Sequence, residues 1–490
     1  MSPFYQGKMI SIKNYVGDRA FYKKVLAVSV PIMIQNGITN FVNLLDNVMV
    51  GRLGTEAMSG VSIVNQFIFI FNLLIFGAIS AAGIFTAQYY GFGDNEGVRH
   101  TFRFKLLINL LAGVIGVAVF AFFSDGLINL FLHDPANVGN IDLTRDFGNQ
   151  YLTVMLVGLI PYAVSQVYAS TMRETGETVM PMIAGIAAVA TNFVLNLILI
   201  FGYLGAPAMG VRGAALATVI SRFTELLILV IYAHIKKDKF AYLVGAYRSV
   251  KIPKKLFISI TVKGIPLMIN EFFWALAMTM RNQCYSTRGL DVVAAQNISS
   301  TIFNVFSVVY ISLGSAVAIM VGALLGAGKL EEAKDTDRKL IGFSVFCGTA
   351  VCLLLCICSL FFPEFYNTGE DVRALASYMM VISAFTMPFS AFANAAYFTL
   401  RSGGKVMITI LFDSFYMWAL VIPVTAIFAY LTDVNIFILF AVGQGVDIFK
   451  TVFGGILLRS GSWLKTLVDK NENSDHAENS TQTSPLGDNS

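Results

Sequence analysis

Charge is what this chain has least of. Asp, Glu, Lys and Arg together make up 13% of its 490 residues, about half the share of an ordinary soluble protein. That deficit excludes a disordered polymer and a string of soluble domains. Metal-ligating and redox residues are scarce as well. The four histidines, His100, His133, His234 and His476, are too far apart in sequence to form a metal-ligand pair. The five cysteines, Cys284, Cys347, Cys352, Cys356 and Cys358, sit inside apolar runs, where free cysteine acts as a small buried hydrophobe. Neither a disulfide scaffold nor a resident metal or other cofactor is expected. The net charge of +4 is too small to argue for nucleic acid as a partner. No small-residue cleavage site follows the basic N-terminus, so no cleaved signal is expected. Gly322-Ala-Leu-Leu-Gly-Ala-Gly328-Lys329 has the wrong spacing for a phosphate loop, and Leu330 stands where a magnesium-binding hydroxyl would be needed.

What is present is apolar. Hydrophobic residues reach 56%, enough for roughly a dozen spans at about 20 residues each. Runs at 25–49, 57–81, 104–123, 147–168, 179–203 and 211–233 make six spans. After a basic stretch, 256–284, 292–322, 340–362, 373–397, 405–430 and 434–458 make six more. The expected divisions are an N-terminal segment at 1–24, a first lobe at 25–233, a linker at 234–255, a second lobe at 256–460 and a polar tail at 461–490. Lys8, Lys13, Lys23 and Lys24 precede the first span, and Lys236, Lys237, Lys239, Lys251, Lys254 and Lys255 lie in the linker. Both termini and the linker are therefore expected in the cytoplasm.

The halves repeat. Sliding the chain along itself by one constant offset aligns Pro31 with Pro266, Gly54 with Gly289, Glu56 with Asp291, Gly91 with Gly326 and Gly93 with Gly328. At the same offset Glu96 meets Glu331, Arg99 meets Lys334 and Arg103 meets Arg338. Six spans return the chain to its starting side, so the expected fold is all-α: twelve spans in two repeated six-helix bundles about a pseudo-two-fold along the membrane normal. A cleft between two such bundles is a common transporter design.

Polar residues inside spans mark the candidate sites. In span 1, Gln35, Asn36, Thr39, Asn40, Asn43, Asp46 and Asn47 share about 140° of one helical face. An intramembrane carboxylate is costly, so Asp46 is read as an ion or proton site; the alternative is an interfacial acid beside Arg52. In span 7, Glu271, Trp274, Met278, Arg281 and Asn282 share a face suited to a substrate cleft. Arg281 falls at the repeat position of Asp46, as a gate or as a structural charge. Arg222 with Glu225, and Asp447 with Lys450, are spaced for local ion pairs.

Asp46-Asn-Val-Met-Val-Gly51-Arg-Leu-Gly54, with Pro31 before it and Ala57 after it, resembles the span 1 signature of the multidrug and toxic compound extrusion (MATE) transporters. Gly264-Ile-Pro266 with Glu271 is similar to the family's span 7, and Asp413, Trp418 and Pro423 to its span 11. The ending Arg459-Ser-Gly-Ser-Trp463 is also MATE-like. The resemblance implies a coupling-ion site at Asp46 with Asn43, Asn192, Asn196 and Thr218, where sodium binds transiently or a proton is carried. The polar faces of spans 7 and 1 place the expected substrate cleft around Glu271, Trp274, Met278, Arg281, Asn36 and Asn40. Asn196 replaces a second aspartate found in some relatives, which leaves sodium and proton coupling both open. Asp413 either holds helices together or meets substrate.

The expected function is secondary efflux of amphipathic, often cationic small molecules in exchange for sodium or protons, by a monomer in a bacterial cytoplasmic membrane. The alternatives are a flippase for a lipid-linked saccharide, a passive channel and a membrane enzyme.

Overall fold

The computed structural model describes residues 15–129, 141–366 and 368–468, without the side chains at 42–45, 47, 48 and 290. The expected N-terminal segment and tail are thus described only from Tyr15 and up to Val468, and the Asn43 side chain lies outside the described residues. Among the described residues, twelve long helices follow in order: α1 (Arg19–Gly51), α2 (Thr55–Phe92), α3 (Asn95–Asn129), α4 (Ile141–Glu174), α5 (Val179–Phe201), α6 (Val211–Ile235), α7 (Lys254–Ser286), α8 (Leu290–Gly326), α9 (Leu330–Cys358), α10 (Glu370–Ser402), α11 (Val406–Tyr430) and α12 (Ile436–Arg459). Of these, α2 to α12 are each long and apolar enough to cross a membrane. α1 has 33 residues, about 50 Å at 1.5 Å per residue. Helices are the expected answer to lipid, because each backbone N–H and C=O finds its partner within the segment.

Several helices outrun the apolar runs that announced them. The run at 104–123 lies inside α3, whose opening turns carry Glu96, Arg99 and Arg103. Hydropathy registers the stretch inside the hydrocarbon, whereas the hydrogen-bond ladder continues into water.

The repeat is visible in the backbone. Gly54 and Gly289 precede α2 and α8 at φ 115° and 113°, and Gly93 and Gly328 follow them at 85° and 73°. These are conformations that a Cβ disfavours. Packing repeats too: α4 lies against α2, α3 and α6, as α10 lies against α8, α9 and α12. One apolar core gathers Phe71, Ile75, Leu152, Met155 and Val219 in the first half. Another gathers Leu313, Val317, Leu340, Ala396 and Leu400 in the second. The halves meet where α1 packs on α8, α2 on α7, and α2 on α8. Exchanging the halves turns the first contact into the second and leaves the third unchanged, as a two-fold axis through the α2–α8 crossing requires.

One end of the bundle holds the start of α1, the segment joining α6 to α7, and the end of α12; we call it the linker end. There Arg103 donates to the carbonyls of Ala246 (2.8 Å) and Gly245 (2.9 Å), and Arg99 to that of Tyr242 (3.2 Å). Phe240, Tyr242, Leu243 and Ala246 are buried against α3, α4 and α6. The linker is therefore docked along much of its length. The segment after α12 is docked as well. Trp463 is 2% exposed, and the wholly buried Gln88 of α2 donates to the Ser402 carbonyl (2.9 Å) and accepts from the Leu467 amide (2.7 Å).

Candidate functional site

Between the halves lies a cavity of about 680 Å³, lined by α1, α2, α4, α5, α6, α8 and α10. That size suits a drug-like ligand. Asn36, Thr39 and Asp46 of α1 face it, with Asn192 of α5 and Thr218 of α6.

Asp46 is held by amides. Asn196 Nδ2 donates to Asp46 Oδ1 at 2.6 Å. With its oxygen accepting from the Thr218 hydroxyl at 3.2 Å, Asn192 directs its amide nitrogen to Asp46 Oδ1 at 2.9 Å and Oδ2 at 3.3 Å. Asn192 and Asn196 are one turn apart, so α5 presents both amides on one face. Asn196 Oδ1 is buried without a hydrogen-bond partner. Carboxylate, amide and hydroxyl oxygens thus share one polar pocket, a donor set of the hard type that sodium or a proton can use.

Asn36 donates from Nδ2 to Ser312 of α8 at 3.4 Å, which ties the cavity wall across the two halves. Asn40 is exposed and does not line the cavity. Neither do Glu271, Trp274, Met278 and Arg281, so the expected substrate-cleft group separates into two places. Glu271 is engaged by Tyr397 of α10, whose hydroxyl donates at 2.9 Å. Arg281, 6% exposed, donates to Asp447 of α12 at 2.8 Å and to Met278 Sδ at 3.2 Å. Where the first half offers a carboxylate to the cavity, the repeat position in the second half is closed in an ion pair.

Two expected pairings are corrected. Asp447 pairs with Arg281 rather than with Lys450, which instead meets Asp413 of α11 at 2.5 Å. Asn270 of α7 adds a hydrogen bond to Asp413 at 3.1 Å. Asp413 lies in a π-helical stretch, Leu411–Phe415, which displaces it from the register of a regular helix. Arg222 and Glu225 also form no ion pair. The Arg222 guanidinium lies 4.9 Å from the Tyr162 ring centroid, and Glu225 accepts from Ser165 at 3.4 Å. Side chains three residues apart can meet, but each took a neighbour from another helix.

Other cavity residues escaped sequence reasoning. Arg173 of α4 donates to Gln35 of α1 at 3.2 Å. Arg401 of α10, 7% exposed, stands among the rings of Phe76, Tyr397 and Phe398 at 5.6–5.9 Å from their centroids. Glu174 is paired with the buried Lys105 of α3. The arginines had a signal. Thr171-Met-Arg173 and Thr399-Leu-Arg401 are the same motif, each followed by a glycine at positive φ, Gly176 and Gly404. They fall out of step with the constant offset chiefly because α3 has 35 residues and its repeat partner α9 has 29.

The MatE family model matches residues 31–198 and 266–431. The chain belongs to this family. The two matches begin at Pro31 and Pro266, a pair that the internal repeat aligns. The chain is 24% identical over 464 residues to the probable multidrug resistance protein NorM of Thermotoga maritima, covering 93% of this chain and 97% of that one. It is 24% identical over 408 residues to the probable multidrug resistance protein YoeA of Bacillus subtilis, covering 83% and 87%. A crystal structure of a Vibrio cholerae MATE transporter superposes with a TM-score of 0.81 at 15% identity, covering 90% of this chain and 97% of that one. MATE proteins are transporters, and this one is a multi-pass, all-helical member.

Proposed function

We propose that this MATE member is a secondary active efflux transporter that exports amphipathic, often cationic compounds in exchange for inward-moving sodium ions or protons. The observation that carries this reading is the Asp46 carboxylate, held by Asn192 and Asn196 and opening onto the cavity between the halves. The multidrug resistance names of its relatives support the substrate class. The protein works as a monomer in a cytoplasmic membrane, with the linker end in the cytoplasm, as the lysine placement argues.

The packing supports alternating access. The halves touch at mid-depth and at the linker end, through Asn36 with Ser312 and through Gln88 with the segment after α12. Toward the far end, Ser62, Asn65, Gln66, Phe69 and Ile70 of α2 line a cavity of about 400 Å³. The conformation is closed toward the cytoplasm, and the opposite state requires the α2–α8 crossing to part. An arriving ion or proton neutralises Asp46, and Asn192 follows by turning its amide about its last side-chain torsion. Ion binding then biases the bundle equilibrium only to the extent that the two states differ in ion affinity.

The test is transport of a fluorescent cation in proteoliposomes with sodium and pH gradients imposed separately. Uphill accumulation under one gradient supports the reading, and equilibration alone under both overturns it. The flippase reading draws support from the three arginines lining the cavity. Movement of a fluorescent lipid analogue between leaflets without any ion gradient would favour it.

A further inference from the structure

Three guanidinium groups, Arg173, Arg222 and Arg401, line the same cavity as Asp46. None has a carboxylate within ion-pair distance among the described residues. Arg173 donates to the neutral Gln35 amide, Arg401 stands among aromatic faces, and Arg222 Nη1 is buried with no hydrogen-bond partner among the described residues. A buried guanidinium donor left unused is expensive, and such donors are normally satisfied by a carboxylate, a phosphate or water.

Three carboxylates, Asp46, Glu174 and Glu225, line the same cavity without forming an ion pair to these arginines among the described residues. Glu174 is paired with Lys105 of α3, and Glu271, behind the cavity wall, is engaged by Tyr397. The lining residues therefore carry three charges of each sign with Asp46 ionised, and are net positive by one once Asp46 has taken its ion. The charges without an ion-pair partner are also graded in depth. Asp46 sits near the far end of α1, whereas Arg173 and Arg401 sit in the last turns of α4 and α10, at the linker end. A cavity with Asp46 toward one end, Arg173 and Arg401 toward the other, Arg222 midway along α6 and Ile75, Phe76 and Ile79 along the wall has room for a zwitterionic amphipath, with Glu174 beside Arg173 already held by Lys105.

Resting on the transporter reading above, we propose that the arginines form an oxyanion subsite, and that the preferred substrates carry a carboxylate, sulfonate or phosphate in addition to an apolar, often cationic body. Arg173 and Arg401 occupy equivalent positions in the two halves, so each half contributes one donor to this end of the cavity. Planar forked donors match planar or tetrahedral oxyanions, and the rings around Arg401 hold its guanidinium plane ready. Neutralising Asp46 removes a competing anion from the same cavity, so ion entry strengthens the oxyanion contact while it weakens any contact to the substrate's cationic group.

The experiment compares a rhodamine bearing a free benzoate with the methyl ester of the same dye, by fluorescence polarisation with the full chain in detergent and by transport in proteoliposomes. Wild type should bind the acid roughly tenfold or more tightly than the ester, the scale of one lost charge-assisted hydrogen bond. Arg401→Gln and Arg222→Gln should each erase most of that difference while leaving ester binding within about twofold, and Arg401→Lys should retain part of it. Because Arg401→Gln disturbs a packed aromatic cluster, ester binding also serves as its check of folding, and Arg222→Gln provides an independent second variant. Short-chain phosphatidic acid, added as competitor, separates the sources of the oxyanion. Displacement of the acid dye by it ahead of an aromatic carboxylate assigns the subsite to lipid phosphate, and the reverse order to a soluble substrate; either keeps the subsite. Equal binding of acid and ester by wild type, or equal loss of both in the variants, overturns the proposal. Transport of the ester with no binding of the acid would overturn the subsite alone, whereas acid binding without transport of either dye would sink the transporter reading and leave the subsite standing.

Discussion

Gly91 of α2 and Gly326 of α8, partners under the internal repeat, make reciprocal contacts at the crossing of the two halves. Gly91 lies against the carbonyl of Ala323, and Gly326 against that of Gln88, with no room for a Cβ at either place. Gln88 and Ala323 are themselves partners at the same offset, so the contact is its own image under the repeat. Glycine here permits two helix backbones to touch, and the touch closes the linker end.

Bulk at the crossing should therefore open it. Gly91→Val forces an overlap with backbone, at a cost of about 1–3 kcal/mol to the closed arrangement. In a cysteine-free background, Ala87→Cys should react at least about fivefold faster with a membrane-impermeant maleimide when Gly91→Val is present. An unchanged rate would show that the crossing tolerates the side chain without parting.

Asp46→Asn keeps shape and hydrogen-bonding capacity but removes the charge. Gradient-driven transport should fall to background while the protein still inserts and folds. Asn192→Ala should be milder, raising the ion concentration for half-maximal transport by roughly tenfold, the scale of a hydrogen bond to a charged group. Undiminished gradient-driven transport by Asp46→Asn would remove this residue from coupling.

Asp413 and Lys450 are both largely buried, with side-chain exposures of 14% and 13%. Removing one partner strands the other charge, so Asp413→Asn should destabilise the fold by about 3–5 kcal/mol. Replacing both, Asp413→Leu with Lys450→Met, should restore most of the loss. Thermal unfolding followed by size-exclusion chromatography reads both effects, and a harmless single substitution would instead favour a role for Asp413 in binding substrate.

Gln88→Leu leaves the Leu467 amide and the Ser402 carbonyl without their partner, at a cost of about 1–3 kcal/mol. Hydrogen exchange at Leu467 should accelerate at least about fivefold, with little change in the core of α4. Uniform acceleration across the chain would indicate global destabilisation rather than release of this segment.

Orientation is open to labelling. Val250→Cys, in the linker and 71% exposed, should react only from the cytoplasm. Asp433→Cys, between α11 and α12, should react only from outside. Ala246, in the same linker, is buried and a poor reporter. Reversed labelling would invert the proposed topology.

The sequence by itself determined the helices, their number and their repetition, because lipid leaves a backbone almost no other way to satisfy its polar groups and because the repeat is written in glycines and prolines at one constant offset. It also singled out Asp46, since a carboxylate in an apolar run is conspicuous, and the i, i+4 spacing of Asn192 and Asn196 put two amides on one face. Tertiary structure alone decided which charges meet. Lys450 lies three residues from Asp447, yet it turns to Asp413, and Asp447 turns to Arg281. Such choices depend on how each helix is rotated about its axis and on the π-helical shift in α11, neither of which hydropathy encodes. The cavity arginines were hidden for a related reason. Arg173 and Arg401 sit at the ends of their helices, beyond the apolar runs at 147–168 and 373–397, and only the approach of the two halves brings both to the wall of one cavity.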